Sequence, residues 1–333
     1  SASISSRTSK STCFFLAAAA TKSWWSRINL ISNINSHRSI ILEVSTINAL
    51  KREDFPPRLL EIPHPPEKLY YRGNVNLLNN PEQKYLCVVG ARKHTSYGKT
   101  ACEMLIQGLS GYPITVISGL ALGIDALAHE AAMRSGLPTI VVPGSGLSDS
   151  ALYPRTNFHL AERILESGGL LLSEFEPDFR ATIWSFPQRN RIMTGLSHGV
   201  LVIEAEERSG SLITARMAGD YNRELMVVPG PITSPLSSGP HLFMRIGATP
   251  VRHSGDILEA LGIDSGKRES PVKQENLSPE ESRLLKALYE AKTKDNLAEE
   301  LSMPITTVSA MISLLELRGL VREQDGLIVT TYQ

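Results

Sequence analysis

Residues 186–216 form the stretch of this chain whose residue types could bind an anion. They include two arginines, an amide and a serine-glycine turn, at Arg189, Asn190, Arg191, Ser209, Gly210 and Ser211. A guanidinium can make bidentate hydrogen bonds to a phosphate. A helix that begins at a serine-glycine turn presents free backbone N–H groups and the positive end of its dipole. The stretch therefore predicts a phosphate-binding surface.

Other segments of the chain carry groups that suit an anionic or planar ligand. They contribute two arginines, an aromatic ring and two glycines, at Arg92, Arg155, Phe158, Gly119 and Gly123. Each segment follows an apolar run, so these residues are expected at the carboxyl ends of strands, where parallel sheets bind ligands. The glycines would let a ligand approach the backbone closely. An arginine near an aromatic ring is a combination that binds the phosphates and bases of single-stranded nucleic acid.

Catalytic chemistry has little support in the sequence. Asp125 and His129 lie four residues apart and could form an acid-base pair on one helix face. We favour a structural interpretation, in which Asp125 caps the helix and His129 bonds a nearby loop. The chain has no GxSxG elbow, Walker loop or HExxH motif. We therefore expect no catalytic residue, metal or cofactor, and a protein that is not an enzyme. Arg191 is also open to a structural role, facing Glu204 or Glu206.

The apolar pattern predicts a scaffold that brings these separate loops together. Continuously apolar runs, typical of strands buried on both faces, occur at 86–90, 114–118, 139–143, 169–174, 199–204 and 224–228. Helical segments are predicted between them, at 98–109, 125–135, 155–167 and 211–221. The alternation of strand and helix predicts an α/β fold with an extended Rossmann-like, doubly wound parallel sheet.

Composition shifts divide the chain into segments of different character. In order they are an atypical N-terminal segment at 1–45 that we expect to be poorly ordered, a proline-rich lead-in at 46–85, a Rossmann-like domain at 86–262 that holds the candidate anion-binding residues, a linker at 263–277 and a winged-helix domain at 278–333. The last domain opens with a capping box, in which Ser278 is followed three residues later by Glu281. A helix-turn-helix pattern from 296 to 318 and a hairpin around Asp325 and Gly326 complete the winged-helix prediction.

Charge and composition restrict the classes of function. Lys and Arg total 34 and Asp and Glu total 34, so a nucleic acid would bind to a local patch rather than to a strongly basic surface. The three cysteines have no CxxC spacing, which favours a reducing, cytoplasmic location over a disulfide framework or a zinc site. No apolar run reaches the ~20 residues of a membrane span. Helix 305–318 carries Arg318 as its only basic residue, which favours a role in protein interaction or regulation over recognition of a DNA duplex.

Several motifs, taken together, resemble the DNA-processing protein A family, also called Smf. The matching segments are VVGARKHTSYG at 88–98, SGLALGIDALAH at 118–129, GSGLSDSALYPRTN at 144–157, SEF at 173–175, FPQRNRIMTGLS at 186–197, VLVIEAEERSGSLITARMA at 200–218 and VVPGPI at 227–232. They follow one another in a continuous order, and the C-terminal winged helix also fits the layout of that family.

The resemblance implies a function and a set of partners. It implies that the protein binds and protects incoming single-stranded DNA and loads RecA onto it, in the presence of single-strand-binding protein, during natural transformation and recombination. It also implies a homodimer formed through the Rossmann-like domain. The implied DNA contacts are Arg92, Arg155 and Phe158, with the 189–191 run and the 209–211 turn around the same pocket. Lysine is common in the family where Arg155 stands, and a family lysine near Thr182 is replaced, if at all, by Arg180.

A nucleotide-processing Rossmann enzyme of the phosphoribohydrolase type is the alternative function. That family also has a glycine-rich parallel sheet, but it needs a PGGxGT-like loop with a catalytic glutamate. Here residues 228–233 read VPGPIT, with no glutamate close behind. A dinucleotide site is poorly supported, because the chain lacks GxGxxG and an acidic residue placed for the ribose. A winged-helix transcription regulator is a third possibility, which the acidic C-terminal domain disfavours.

Overall fold

The computed structural model describes residues 46–207, 209–264, 277–288, 291–318, 320–324 and 326–330. The predicted N-terminal segment and most of the predicted linker lie outside these residues. Among the helices that are described, none is long and apolar enough to cross a membrane.

In the described part of the chain, a nine-stranded sheet organises the residues before the linker. Its strands are β1 (Asn48–Leu50), β2 (Leu69–Gly73), β3 (Lys84–Val89), β4 (Ile114–Ser118), β5 (Thr139–Val141), β6 (Leu170–Ser173), β7 (Gly199–Val202), β8 (Glu224–Val227) and β9 (Thr249–Pro250). Their spatial order is β1-β2-β6-β5-β4-β3-β7-β8-β9. All pairings from β6 across to β9 are parallel, whereas β1 and β2 add to the β6 edge as antiparallel strands.

Helices cover both faces of this sheet. They are α1 (Pro57–Leu60), α2 (Ser96–Gln107), α3 (Ile124–Arg134), α4 (Phe158–Glu166), α5 (Ser185–Leu196), α6 (Gly210–Asp220), α7 (Ser238–Met244) and α8 (Ser254–Ala260). Alternate residues of β3 show the two layers. Cys87 and Val89 share a buried cluster with residues of α5 and α6, while Leu86 and Val88 share another with residues of α2 and α3. The predicted doubly wound, Rossmann-like sheet is thus confirmed.

The proline-rich segment 46–85 contributes directly to the sheet through β1, β2 and α1. Leu59 and Leu69 are fully buried in the same cluster as β3. The guanidinium of Arg58 lies 3.9 Å from the ring centroid of Tyr85 and donates to the carbonyl of Leu78 at 3.1 Å. These strands were not predicted, because β2 pairs with β6, which is distant in sequence, and because the apolar pattern of both strands is short.

Element boundaries differ from the sequence pattern by a few residues. β5 ends at Val141 rather than at 143, since Pro143 has no N–H to continue a ladder. The helix predicted from 155 begins as a 3-10 turn at Arg155–Asn157 and becomes α-helical at Phe158. Propensity and periodicity do not mark the residue at which backbone pairing ends.

The C-terminal residues form the predicted winged helix. Its elements are α9 (Pro279–Ala287), α10 (Lys294–Leu301), α11 (Ile305–Leu317), β10 (Val321–Gln324) and β11 (Leu327–Thr330). The capping box is present, because Glu281 N donates to Ser278 Oγ at 3.1 Å and Ser278 N donates to Glu281 Oε2 at 2.6 Å. Leu284, Leu297 and Val308 belong to a separate buried cluster that these elements share.

Candidate nucleic-acid interface

The topology places the loops after β3 and β7 at the switch point of the sheet. β3 pairs with β4 on one side and with β7 on the other, so the connections leaving these strands diverge at their carboxyl ends. Open parallel sheets bind ligands in the crevice that forms there. The loop after β3 runs to Thr95, the N-cap of α2, and the loop after β7 runs to Ser209, the N-cap of α6.

A buried carboxylate joins these two loops. Glu204, which is 3% exposed, accepts a hydrogen bond from Thr95 N at 2.9 Å and another from the Thr95 hydroxyl. The same hydroxyl oxygen accepts from Gly98 N at 3.0 Å. A Cβ at position 98 would lie 2.2 Å from Glu204 Oε2, so only glycine leaves room for this carboxylate. Glu204 therefore fixes the start of α2 relative to the end of β7.

Arg191 is structural, but the partner expected from the sequence was wrong. It forms an ion pair with Glu174, at the end of β6, rather than with Glu204 or Glu206. It also donates to the carbonyl of His64 at 2.6 Å. The sequence could not identify Glu174 because the contact depends on where α5 crosses the sheet.

Arg92 and two aromatic side chains form one continuous contact at the carboxyl edge. Arg92 is exposed, and its guanidinium carbon lies 5.4 Å from the ring centroid of Phe186. The ring of Phe186 lies 5.8 Å from that of Tyr153, at an angle of 51°. Gly144 makes room for this arrangement, since a Cβ there would lie 2.6 Å from Phe186 Cδ1. A guanidinium beside a ring keeps N–H groups free to bind an anion.

Arg155 and Phe158 extend this surface along the loop after β5. The Arg155 guanidinium lies 4.5 Å from the Phe158 ring centroid and donates to the carbonyl of Asp149. Asn157 Nδ2 donates to the carbonyl of Leu120 at 2.8 Å, which fixes this loop to the one after β4. We define the aromatic strip as Arg92, Phe186, Tyr153, Arg155 and Phe158. Chemically, the strip offers cations for an anionic backbone and rings for planar groups.

Arg189 and Asn190, both predicted as contacts, lie beneath this surface. Arg189 is 5% exposed, and its Nη1 donates to the carbonyl of Gly119 at 2.6 Å and to that of Val142. Its Nε donates to Asn190 Oδ1 at 3.1 Å. Burial lowers the pKa of Arg189, while the nearby carboxylate of Asp125 opposes that shift. These contacts make Arg189 a positioning residue for the ends of β4 and β5, and a direct contact with DNA stays a prediction that its burial disfavours.

Gly119 and Gly123 lie where other groups of the protein approach the backbone too closely for a side chain to fit. A Cβ at Gly119 would lie 2.3 Å from Nη1 of Arg189. Gly123 has φ +81°, and a Cβ there would lie 2.3 Å from the carbonyl oxygen of Ala91 and 2.5 Å from that of Arg92. The sequence interpretation assigned these glycines to a ligand. In the structure Gly119 makes room for the Arg189 guanidinium, and Gly123 allows the turn that carries Arg92 to pack closely.

The Ser209-Gly210-Ser211 turn begins α6 at the same edge. Ser211 Oγ donates to the carbonyl of Gly90 at 2.9 Å, which ties α6 to the end of β3. Ser209 Oγ is buried and has no hydrogen-bond partner among the described residues. A Cβ at Gly210 would meet no heavy atom within 4 Å. Gly210 is thus not required by packing inside the protein, in contrast to Gly119 and Gly123.

Asp125 and His129 have separate structural partners. Asp125 Oδ2 accepts from Ala121 N at 3.3 Å, just before α3. His129 is fully buried and its Nδ1 lies 2.7 Å from Thr139 Oγ1. Burial lowers the pKa of His129 to about 3, so the imidazole is neutral near pH 7. Both residues are structural, but the roles expected from the sequence were wrong in detail. The N-cap of α3 is Gly123 rather than Asp125, and the partner of His129, Thr139, lies in β5 rather than in a loop.

Phe186 and Tyr153 were not among the predicted contacts. Tyr153 carried a weak signal, since it stands two residues before Arg155 in a loop after a strand. Phe186 carried none, because only the tertiary fold brings the first turn of α5 against Gly144.

Comparison with known proteins places this architecture in a family. Residues 46–262 match the family described as DNA recombination-mediator protein A, and residues 268–326 match the DprA winged helix domain. The chain belongs to the DNA recombination-mediator protein A family. Protein Smf of Escherichia coli is 38% identical to it over 282 residues, which cover 82% of this chain and 74% of that protein.

Solved structures of relatives share the fold. The X-ray structure of DNA processing protein A from Streptococcus pneumoniae has a TM-score of 0.60 and 37% identity, covering 68% of this chain and 77% of that one. DNA processing protein A from Helicobacter pylori, whose structure concerns its single-stranded DNA binding mode, has a TM-score of 0.58 and 30% identity. That match covers 65% of this chain and 95% of the Helicobacter chain.

Proposed function

We propose that this recombination mediator binds single-stranded DNA across the aromatic strip and loads RecA onto the bound strand. The observation that carries the proposal is the strip itself, in which two exposed arginines stand against aromatic rings at the carboxyl edge of the sheet. Arginines bind phosphates, and rings stack on bases that are unpaired. A duplex keeps its bases stacked on each other, so this surface favours a single strand.

The single-stranded DNA bound by the Helicobacter relative supports the same ligand here. The geometry adds that the strip is held in place from within, by Arg189 beneath the loops and by Gly123 under the Arg92 turn. We further propose that the protein acts without catalysis, as a homodimer in the cytoplasm, with RecA and single-strand-binding protein as partners. We assign strand binding to 86–262 and protein interaction to 278–333.

Replacing Arg92 with alanine tests the proposed surface. Loss of a charged hydrogen-bonding group costs roughly 1.5–3 kcal/mol, so oligo-dT should bind about 10- to 150-fold more weakly. The slope of log affinity against log salt should fall by about 0.7 for each phosphate that the variant no longer neutralises. Fluorescence anisotropy with a labelled oligo-dT and its duplex, across a salt series, measures both quantities.

Arg245→Ala is the matched control. Arg245 is also exposed. It follows α7, which starts at the carboxyl edge, where Gly239 N donates to the carbonyl of Ala205. Because α7 leads from this edge back towards β9, Arg245 lies away from the aromatic strip. This variant should bind as the wild type does. Equal affinity for duplex and single strand, absence of a salt slope, or equal weakening in both variants would contradict the proposal.

RecA loading needs its own assay. RecA filament formation on a strand covered by single-strand-binding protein should start faster when the protein is added, and Arg92→Ala should abolish the gain. Incubation with nucleoside monophosphates distinguishes the alternative function, since release of the free base would indicate a phosphoribohydrolase.

A further inference from the structure

A second cluster of rings lies on the loop that joins β6 to α5. Phe175 and Phe179 stack with ring centroids 4.5 Å apart, and Trp184 packs edge-on against them at 5.8 Å and 5.5 Å. Phe175 is buried, but Trp184 is 55% exposed and the neighbouring Ile183 is 91% exposed. Ile183 and Trp184 are adjacent, so their exposed side chains form one apolar patch, and contiguous patches of this kind are a feature of interaction sites.

This cluster and the aromatic strip rest on the same support. Ser185 Oγ donates to the carbonyl of Gly144 at 2.6 Å, and Phe186 of the strip lies directly over Gly144. Gly146 N donates to the carbonyl of Phe179 at 2.8 Å. The loop after β5 therefore fixes both sets of rings, and Trp184 stands two residues from Phe186. The two surfaces are continuous parts of one edge of the protein.

A cation accompanies the second cluster. Arg180 is exposed, and among the described residues it has no ion pair or hydrogen bond. Asp178 is exposed nearby, while Glu176 already interacts with Lys68 at 3.8 Å and with the Tyr70 hydroxyl. Arg180 stands four residues before Trp184 in the chain, so the segment that carries the exposed indole also carries a free guanidinium.

We propose that Ile183 and Trp184, with Arg180, form a second stacking platform that receives bases of the strand beyond the aromatic strip. The inference rests on the proposed binding of single-stranded DNA and adds the direction in which the strand continues. Continuity with the strip and the free cation favour a polyanion over a second copy of this chain as the occupant.

The length of the oligonucleotide separates the two surfaces. An oligo-dT of about 4 nucleotides can occupy the strip alone, whereas one of about 12 can reach the platform. We expect Trp184→Ala to weaken binding of the longer oligonucleotide by about tenfold and to leave the shorter one unchanged. Trp184→Phe, which keeps a stacking ring, should retain most of the affinity. The unchanged short-oligonucleotide affinity also shows that the variant folds.

Tryptophan fluorescence gives a second readout. The full chain has three tryptophans, Trp24, Trp25 and Trp184, so quenching by the longer oligonucleotide that disappears in Trp184→Phe would locate a base on the platform. Wild-type affinity of Trp184→Ala for both lengths would overturn the platform and leave the proposed function intact. If Trp184→Ala weakened the binding of both oligonucleotides equally, the platform would be overturned in favour of a structural role for Trp184. If the variant had a smaller particle mass in solution than the wild type, the platform would be overturned in favour of a role in self-association. A wild-type protein that binds neither length would refute the proposed function itself.

Discussion

Replacing Gly210 with alanine tests whether the start of α6 contacts the DNA backbone. A Cβ at this position would meet no heavy atom within 4 Å, and the backbone of Gly210 is outside the left-handed region. Alanine therefore fits the folded protein. Because alanine favours a helix over glycine by about 0.5–1 kcal/mol, the free energy of unfolding should stay constant or rise by up to that amount.

The same variant should bind DNA more weakly. A phosphate that approaches the first N–H groups of α6 has to pass close to the Gly210 Cα, where a methyl group would hold it away. Loss of one hydrogen bond to a charged group costs about 1.5–3 kcal/mol, which raises the Kd by about 10- to 150-fold. Anisotropy titrations with labelled oligo-dT and urea unfolding of the same preparations measure the two quantities.

Gly123→Ala provides the contrast. Alanine at φ +81° is strained, and its Cβ would lie 2.3 Å from the carbonyl oxygen of Ala91. Strain of about 1–3 kcal/mol and overpacking of about 1–3 kcal/mol should lower both stability and affinity, because the Arg92 turn must shift. Gly210→Ala should lower affinity alone. Wild-type affinity in Gly210→Ala would refute the reasoning and remove the turn at 209–211 from the contact surface.

Two further predictions concern the winged helix and pH. Arg318→Ala should leave the affinity for oligo-dT unchanged. It should lower the melting temperature of the winged helix, because buried Glu281 loses an ion pair at 3.3 Å. A loss of affinity as large as that of Arg92→Ala would instead place the DNA-binding site in this domain. Burial lowers the pKa of His129 from 6.5 to about 3, so the folded state binds fewer protons than the unfolded state, and the free energy of unfolding should fall as pH drops through that range. Urea titrations of His129→Gln should show a weaker pH dependence than the wild type, and parallel curves would contradict the assignment.

The central strands could be predicted because their signal is local. β3, β4 and β7 are continuously apolar, and this is a property of a few adjacent residues. β2 pairs instead with β6, which lies far along the chain, and β1 pairs with β2. The short sequences of β1 and β2 carry no comparable pattern. A strand added to a sheet edge is defined by its partner, so the sequence signal for it is weak.

The residues of the candidate site also divide into those that local sequence predicted correctly and those whose position depends on distant parts of the chain. Arg92 and Arg155 follow apolar runs, and the structure places both exposed at the carboxyl edge. Arg189 has the same residue type, yet it is buried beneath the loops with its guanidinium on backbone carbonyls. A side chain type gives its charge and its hydrogen-bonding capacity, but exposure depends on which loops close over it.

The sequence by itself determined the α/β class, the winged helix and the arginines and glycines gathered after strands, because these follow from local patterns and residue chemistry. The tertiary structure decided which of those residues face outward. It buried Arg189, set Gly123 against the Arg92 turn and brought Phe186 from the first turn of α5 to the side of Arg92. Each of these outcomes arises from contacts between loops that only the assembled sheet brings together, and such contacts leave no trace in the spacing of residues along the chain.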